Sequence, residues 1–189
     1  MFKRTILLML ALVSSTFSVL AADSEDYILA PGDTINVTVY GEEDLTIEER
    51  RIDTRELLEY PYLGKISTKD KSLSDLQGEI VKGLKGRVLI NPRVSVSIFK
   101  YRNFYINGVV HKPGNYEYEP GLTVEQAVSI AGGFIAKFRH TKGIYIIRSE
   151  ETKYMDGDQL EAYLKDQDES RMSDRVNPGD TVYIISSLF

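Results

Sequence analysis

Histidine, cysteine and facing carboxylates carry most metal and acid–base chemistry, and this chain is poor in the first two. His111 and His140 are its only histidines. Neither has a partner at a spacing such as His-x-x-x-His, so each reads as a solvated loop residue and no metal site is expected. Cysteine is absent, which removes disulfides, thiolate metal ligands and a cysteine nucleophile. Carboxylates are plentiful, at 28 Asp and Glu. A glycosidase needs two of them facing each other across a sugar, an arrangement that residue order does not display. Asp33 and Asp180 are better explained by the Pro-Gly-Asp-Thr turns in which they stand. Asp156-Gly-Asp158 has the look of part of a calcium loop, yet no twelve-residue ligand pattern ending in Glu surrounds it. Gly132-Gly133 follows a predicted helix instead of opening one, so it is not a phosphate cradle. No catalytic constellation emerges, and no cofactor is implied.

Aromatic side chains offer a different chemistry. The chain has 12 tyrosines and no tryptophan, and Tyr101, Tyr105, Tyr116 and Tyr118 lie close together in sequence. A tyrosine presents an apolar ring and a hydroxyl on one side chain, which suits the face of a sugar. It suits strand packing and subunit contacts equally well, and the Tyr116-x-Tyr118 alternation puts both rings on one strand face. These four are the candidates for glycan or subunit contact.

Composition bounds the rest. A chain of 189 residues, 42% hydrophobic and 27% charged, is an ordinary globular sequence with room for one domain or two small ones. Residues 1–21 stand apart. Lys3 and Arg4 precede the apolar run Ile6 to Val13, and Val19-Leu20-Ala21 offers small residues for cleavage, the pattern of a secretory signal peptide. A membrane anchor is the other reading, but the apolar core is shorter than the roughly 20 residues a span requires. Removing Lys3 and Arg4 changes the net charge from −5 to −7, with 21 basic residues against 28 acidic ones. Such a chain is poorly suited to nucleic acid, because phosphate contacts need clustered Lys and Arg.

The elements that would position these residues follow from periodicity. Pro31-Gly32 makes a turn, after which Ile35, Val37 and Val39 alternate with Thr34, Asn36 and Thr38 as in a half-buried strand. From Thr46 to Glu59 the chain is dense in charge and reads as a solvated face or exposed hairpin. Ser72-Leu-Ser-Asp75 forms a capping box, followed by Leu73, Leu76, Ile80 and Leu84 on one helical face. Pro92 breaks the chain, and Val94, Val96 and Ile98 alternate as a further strand. The segment from Ile106 to Tyr116 reads as strand, turn and short strand, with Pro113 and Gly114 filling the central positions of a type II turn. Thr123 and Gln126 form a second capping box, and Val124, Ala127, Val128 and Ala131 make one apolar stripe. Gly132 or Gly133 closes that helix. Ile144 to Ile147 reads as a strand and Asp158 to Lys165 as a short helix with Leu160 and Leu164 inward. Pro178-Gly179-Asp180 repeats the turn chemistry of Pro31-Gly32-Asp33 before a closing strand.

Several of these motifs carry a family likeness. The run Ile106-Asn-Gly-Val-Val-His-Lys-Pro-Gly-Asn-Tyr116, with Gly108 in its first strand, leads on to Thr123-Val-Glu-Gln-Ala and Ala131-Gly-Gly133. It resembles the soluble-ligand-binding β-grasp (SLBB) module. Upstream, Tyr27-Ile-Leu-Ala-Pro-Gly-Asp33, the Pro61-Tyr-Leu-Gly64 segment and Asn91-Pro-Arg-Val-Ser-Val96 are similar to the export domain of the bacterial outer-membrane polysaccharide export (OPX) proteins. One departure is plain: Arg55-Glu56 stands where that family usually has an Asp-Gly turn. The resemblance implies an α+β protein with short helices on small mixed sheets. Its parts would be a signal peptide over 1–21, an export domain over 22–99 and one SLBB domain over 100–189. It also implies a non-enzymatic periplasmic subunit of a capsule or exopolysaccharide machine, forming a homo-oligomeric ring that conducts glycan. Its partners would be the polysaccharide and an inner-membrane polysaccharide copolymerase. Many members carry a lipid-anchor cysteine, absent here, and some end in a membrane-crossing helix; nothing follows Phe189. The expectation is therefore a periplasmic ring served by a separate outer-membrane β-barrel. Two other readings compete: a small-ligand or sugar-binding β-grasp module, which would have one deep pocket, and a secreted carbohydrate-active enzyme, which would have two facing carboxylates.

Overall fold

The computed structural model describes residues 27–135, 141–148 and 155–186; the signal-peptide segment and His140 lie outside them. Two hydrophobic cores succeed one another along the chain. The first is built from β1 (Thr34–Val39), β2 (Ile47–Arg51), β3 (Leu57–Tyr60), β4 (Gly64–Ser67), α1 (Leu73–Leu84) and β5 (Val94–Lys100). The strands form a three-stranded antiparallel sheet of order β2-β1-β5 and a separate β3-β4 hairpin. Alternation drives β1: Ile35, Val37 and Val39 are buried while Thr34, Asn36 and Thr38 are half-buried. Leu76, Ile80 and Leu84 carry α1 onto the same core, and Ser72 with Asp75 closes the predicted capping box at its start. Pro92 is buried just ahead of β5, where it ends the irregular run after α1.

The charged Thr46 to Glu59 segment behaves as expected, with Glu48, Glu49, Arg50 and Arg51 exposed along β2. Ile47, Ile52 and Leu58 nonetheless anchor it in the core at its start, middle and end. At the departure from the family pattern, Glu56 adopts φ 54°. A residue with a Cβ therefore holds the left-handed conformation that glycine takes without strain. Pro61 lies in the β3-β4 turn and Gly64 opens β4.

The second core holds β6 (Phe104–Gly108), β7 (Gly114–Tyr116), α2 (Val124–Ile130), β8 (Thr141–Ile147), α3 (Gly157–Lys165) and β9 (Thr181–Ser186). Its sheet runs β7-β6-β9-β8, with β6 and β9 parallel and the other pairs antiparallel. The fold is α+β with small sheets, one of them mixed. Phe104, Ile106, Val182 and Ile184 point from β6 and β9 into the core, where Val124, Ala127, Val128 and Ala131 of the α2 segment meet them. Thr123 and Gln126 form the predicted capping box, and Gly132 and Gly133 follow the last turn at φ 84° and 80°. In α3, Leu164 is buried and Leu160 half-buried, as their spacing predicts.

One turn differs from expectation. Gly114 has φ 158°, near-extended backbone that begins β7, whereas a type II turn needs about +80° at that position. The chain reverses earlier, over Val109 to Pro113, following Gly108 at φ 98°. Gly108 is required there for a second reason. A Cβ on it would stand 1.9 Å from the Ile184 carbonyl oxygen of the parallel neighbour strand.

Candidate functional site

The two cores meet at Arg102, which lies between β5 and β6 and is gripped by both Pro-Gly-Asp turns. Asp33 is fully buried. Its carboxylate accepts hydrogen bonds from the Ala30 N–H at 2.9 Å, the Arg102 N–H at 2.8 Å and the Arg102 guanidinium at 3.1 Å. The Tyr27 hydroxyl lies 2.8 Å from both of its oxygens, and Arg102 Nη1 donates to that hydroxyl at 2.7 Å. Charge and partners are thus matched around a group that would be costly to bury alone. Burial and the adjacent Asp33 carboxylate push the Tyr27 hydroxyl well above the ordinary tyrosine range, so it remains a proton donor.

The second turn copies the first. Asn177 N–H donates to Asp180 Oδ2 at 2.8 Å, as Ala30 does to Asp33. Gly32 N–H reaches the Ile52 carbonyl at 3.0 Å, and Gly179 N–H reaches that of Asn103 at 3.1 Å. Both glycines touch the arginine. A Cβ on Gly32 would lie 3.1 Å from Arg102 Cβ, and one on Gly179 would lie 2.6 Å from its Nε. Arg148 Nε approaches Asp180 at 3.7 Å. Burial outweighs these partners and raises the Asp180 carboxyl above its ordinary value.

Aromatic rings line the same seam. Tyr101 meets Tyr27 edge-on at 5.1 Å and Tyr118 edge-on at 5.3 Å, while the Arg102 guanidinium sits 5.7 Å from the Tyr27 ring centre. Tyr116 packs against Phe104 at 5.9 Å, and its hydroxyl donates to the Lys112 carbonyl. Of the four tyrosines singled out by sequence, Tyr105 alone is exposed, at 47%. Tyr116 and Tyr118 do not form an outward strand face: β7 ends at Tyr116, and both rings pack against the second core. Pro113 and His111 are exposed in the β6-β7 connection.

Beside the Arg102 junction opens a cleft of about 1760 Å³. Its floor is the face of the second sheet opposite α2, and α3 and the Arg51 to Glu56 segment of the first domain form its walls. Tyr101 and Tyr105 line it; Tyr116 and Tyr118 do not. Sequence reasoning missed Tyr27, Arg102 and Tyr183 as parts of the junction and cleft. Arg102 bonds a carboxylate 69 positions away, a separation at which no local spacing signal exists. Among the described residues, no cluster of three or more His, Cys, Asp or Glu could hold a metal ion. No helix among them is long and apolar enough to cross a membrane.

Comparison with known proteins matches both halves of the chain. Residues 21–99 match the family model described as polysaccharide biosynthesis/export protein, and residues 103–159 match that of the SLBB domain. Over 80 residues the chain is 39% identical to the exopolysaccharide production protein ExoF of Rhizobium meliloti (strain 1021), covering 40% of this chain and 18% of that one. Over 79 residues it is 32% identical to the EPS I polysaccharide export outer membrane protein EpsA of Ralstonia nicotianae (strain ATCC BAA-1114 / GMI1000), covering 40% of this chain and 20% of that one. The matched segments span about a fifth of the length of these relatives.

Proposed function

The chain belongs to the polysaccharide biosynthesis/export family and carries one SLBB domain, and from that premise we propose that it is a periplasmic, non-catalytic subunit of an exopolysaccharide or capsule export machine. Copies assemble into a ring through heterologous contacts, and the polymer passes along the ring toward the outer membrane. The inner-membrane partner is a polysaccharide copolymerase, and a separate β-barrel completes the path.

One observation carries this reading: an export domain and an SLBB domain stand in tandem, tied by an ion pair between the buried Asp33 and the half-buried Arg102. A head-to-tail ring closes only if each copy imposes the same rotation on the next. A subunit made of two small domains on a loose hinge would scatter that angle. Here Asp33 of the first domain holds both the backbone and the side chain of Arg102, and Gly179 of the last turn packs against the same arginine. The subunit therefore presents a constant shape. The export-domain match also favours this reading over a free-standing ligand-binding β-grasp module, which has no need of that domain.

In-cell crosslinking tests the assembly. A ladder of covalent multimers ending at one closed size is the expected result. Monomer alone, at native expression and with reagents that reach the surface lysines, overturns the ring.

A further inference from the structure

The outward face of β6 and β9 is built unlike an ordinary solvated sheet. On β6 it shows Tyr105 and Asn107; on β9 it shows Thr181, Tyr183 and Ile185. The parallel register sets Tyr105 beside Thr181 and Asn107 beside Tyr183. Asn115 of β7 stands beside Tyr105 on the other side. One row across the sheet is thus Asn115-Tyr105-Thr181, and the next is Asn107-Tyr183. Neighbours within a row are about 4.8 Å apart and rows about 6.7 Å apart along the strands. Within the described residues, none of the five side chains hydrogen-bonds to another residue, so their amides and hydroxyls are available to a ligand.

Concavity distinguishes this face from a flat one. Leu160, Glu161 and Leu164 of α3 rise on one side, and Arg51, Thr54 and Glu56 of the first domain on the other. On β6 and β9 this face is polar-aromatic apart from Ile185, whereas the same strands bury Phe104, Ile106, Val182 and Ile184 on the opposite side; Val109, Met155, Leu160 and Leu164 add apolar surface at the edges of the cleft. Tyrosine rings flanked by amides, each amide both donor and acceptor, match the alternating apolar faces and hydroxyl rims of sugar rings. The lining carries Arg51, Lys100, Arg102 and Arg148 against Glu56, Glu161 and Asp180, so its charge is nearly balanced and the cleft does not demand an anion.

We propose that the cleft between α3 and the first domain is a saccharide-binding platform that holds a short run of sugar rings on Tyr105, Asn107, Asn115, Thr181 and Tyr183. This rests on the export reading and adds to it the place on the subunit where polymer is touched. The open cleft and its few hydrogen-bonding groups make each contact weak and reversible, as a moving chain requires.

Affinity electrophoresis of the mature protein tests it. The gel contains the exopolysaccharide purified from the strain that carries the gene. Wild-type protein should be retarded in proportion to polymer concentration. Tyr183→Ala and Asn107→Ala should each weaken retardation about tenfold, the scale of one aromatic or hydrogen-bonding contact. Tyr183→Phe should recover most of it, and Tyr40→Ala, exposed on the first domain, should change nothing. Circular dichroism of each variant confirms the fold. Retardation unaffected by Tyr183→Ala and Asn107→Ala overturns the platform, as does no retardation of the wild type. So does a loss of retardation that coincides with dissociation of an oligomer, which would assign the face to a second copy. None of these outcomes bears on whether the gene is needed for export, which a deletion strain tests separately.

Discussion

Asp33 is the residue on which the two domains turn. Replacing it with Ala leaves the Arg102 guanidinium, the Tyr27 hydroxyl and two backbone N–H groups without their acceptor. Breaking a buried pair from one side costs roughly 3–5 kcal/mol. Denaturant unfolding of Asp33→Ala should show a loss of that order; a loss under about 1 kcal/mol would mean the clasp is not structural. Asp180 carries a pH dependence. Its folded carboxyl titrates above the ordinary value because of burial, so the folded state binds its proton more tightly than the unfolded one. The stability this contributes is full below the unfolded pKa and is lost as pH rises through the raised, folded one. Asp180→Asn keeps the acceptor for Asn177 N–H and removes the titration. The stability of wild type relative to Asp180→Asn should therefore fall as pH climbs through that window, read from melts across the acid range. At this scale the sequence showed the two acidic turns and nothing of what lies between them. Turn chemistry is local, while the Arg102 contacts join segments brought together only by folding.

Elements were legible wherever periodicity and capping agreed. Both capping boxes, the β1 alternation and the apolar stripe of α2 stand as their residue spacing predicts. The parallel pairing of β6 with β9 was not readable, since it joins strands far apart in the chain with the whole of α2, β8 and α3 between them. The misplaced turn at Pro113-Gly114 has a simple cause. Pro-Gly favours a tight turn locally, but Gly108 already reverses the chain where β9 presses on it. Gly108→Ala should consequently destabilise by roughly 3 kcal/mol or more, because both the left-handed backbone and the Ile184 carbonyl oppose a Cβ. Glu56→Gly should act the other way. It relieves a left-handed residue at a turn where the family pattern has glycine, and the gain is offset in part by added freedom of the unfolded chain. A thermal melt should show no loss and up to about 1 kcal/mol of gain.

For the molecule as a whole, the two cores are joined at a single arginine, Arg102, held by Asp33 and packed against Gly179. The same junction forms the mouth of the cleft whose floor carries the polar-aromatic rows. The proposed ring assembly and the proposed sugar contact rest on different residues, and substitutions should separate them: Asp33→Ala should disturb assembly, and Tyr183→Ala should leave assembly intact. Crosslinking of the two variants side by side checks this. In the proposed function this protein moves polysaccharide across the envelope and breaks no glycosidic bond. The most direct measurement is the distribution of polymer between the cell surface and the envelope interior in a strain lacking the gene. Surface polymer should be strongly reduced, with polymer of unaltered chain length retained inside, and the wild-type gene should restore both. Normal surface polymer in the deletion strain would contradict it.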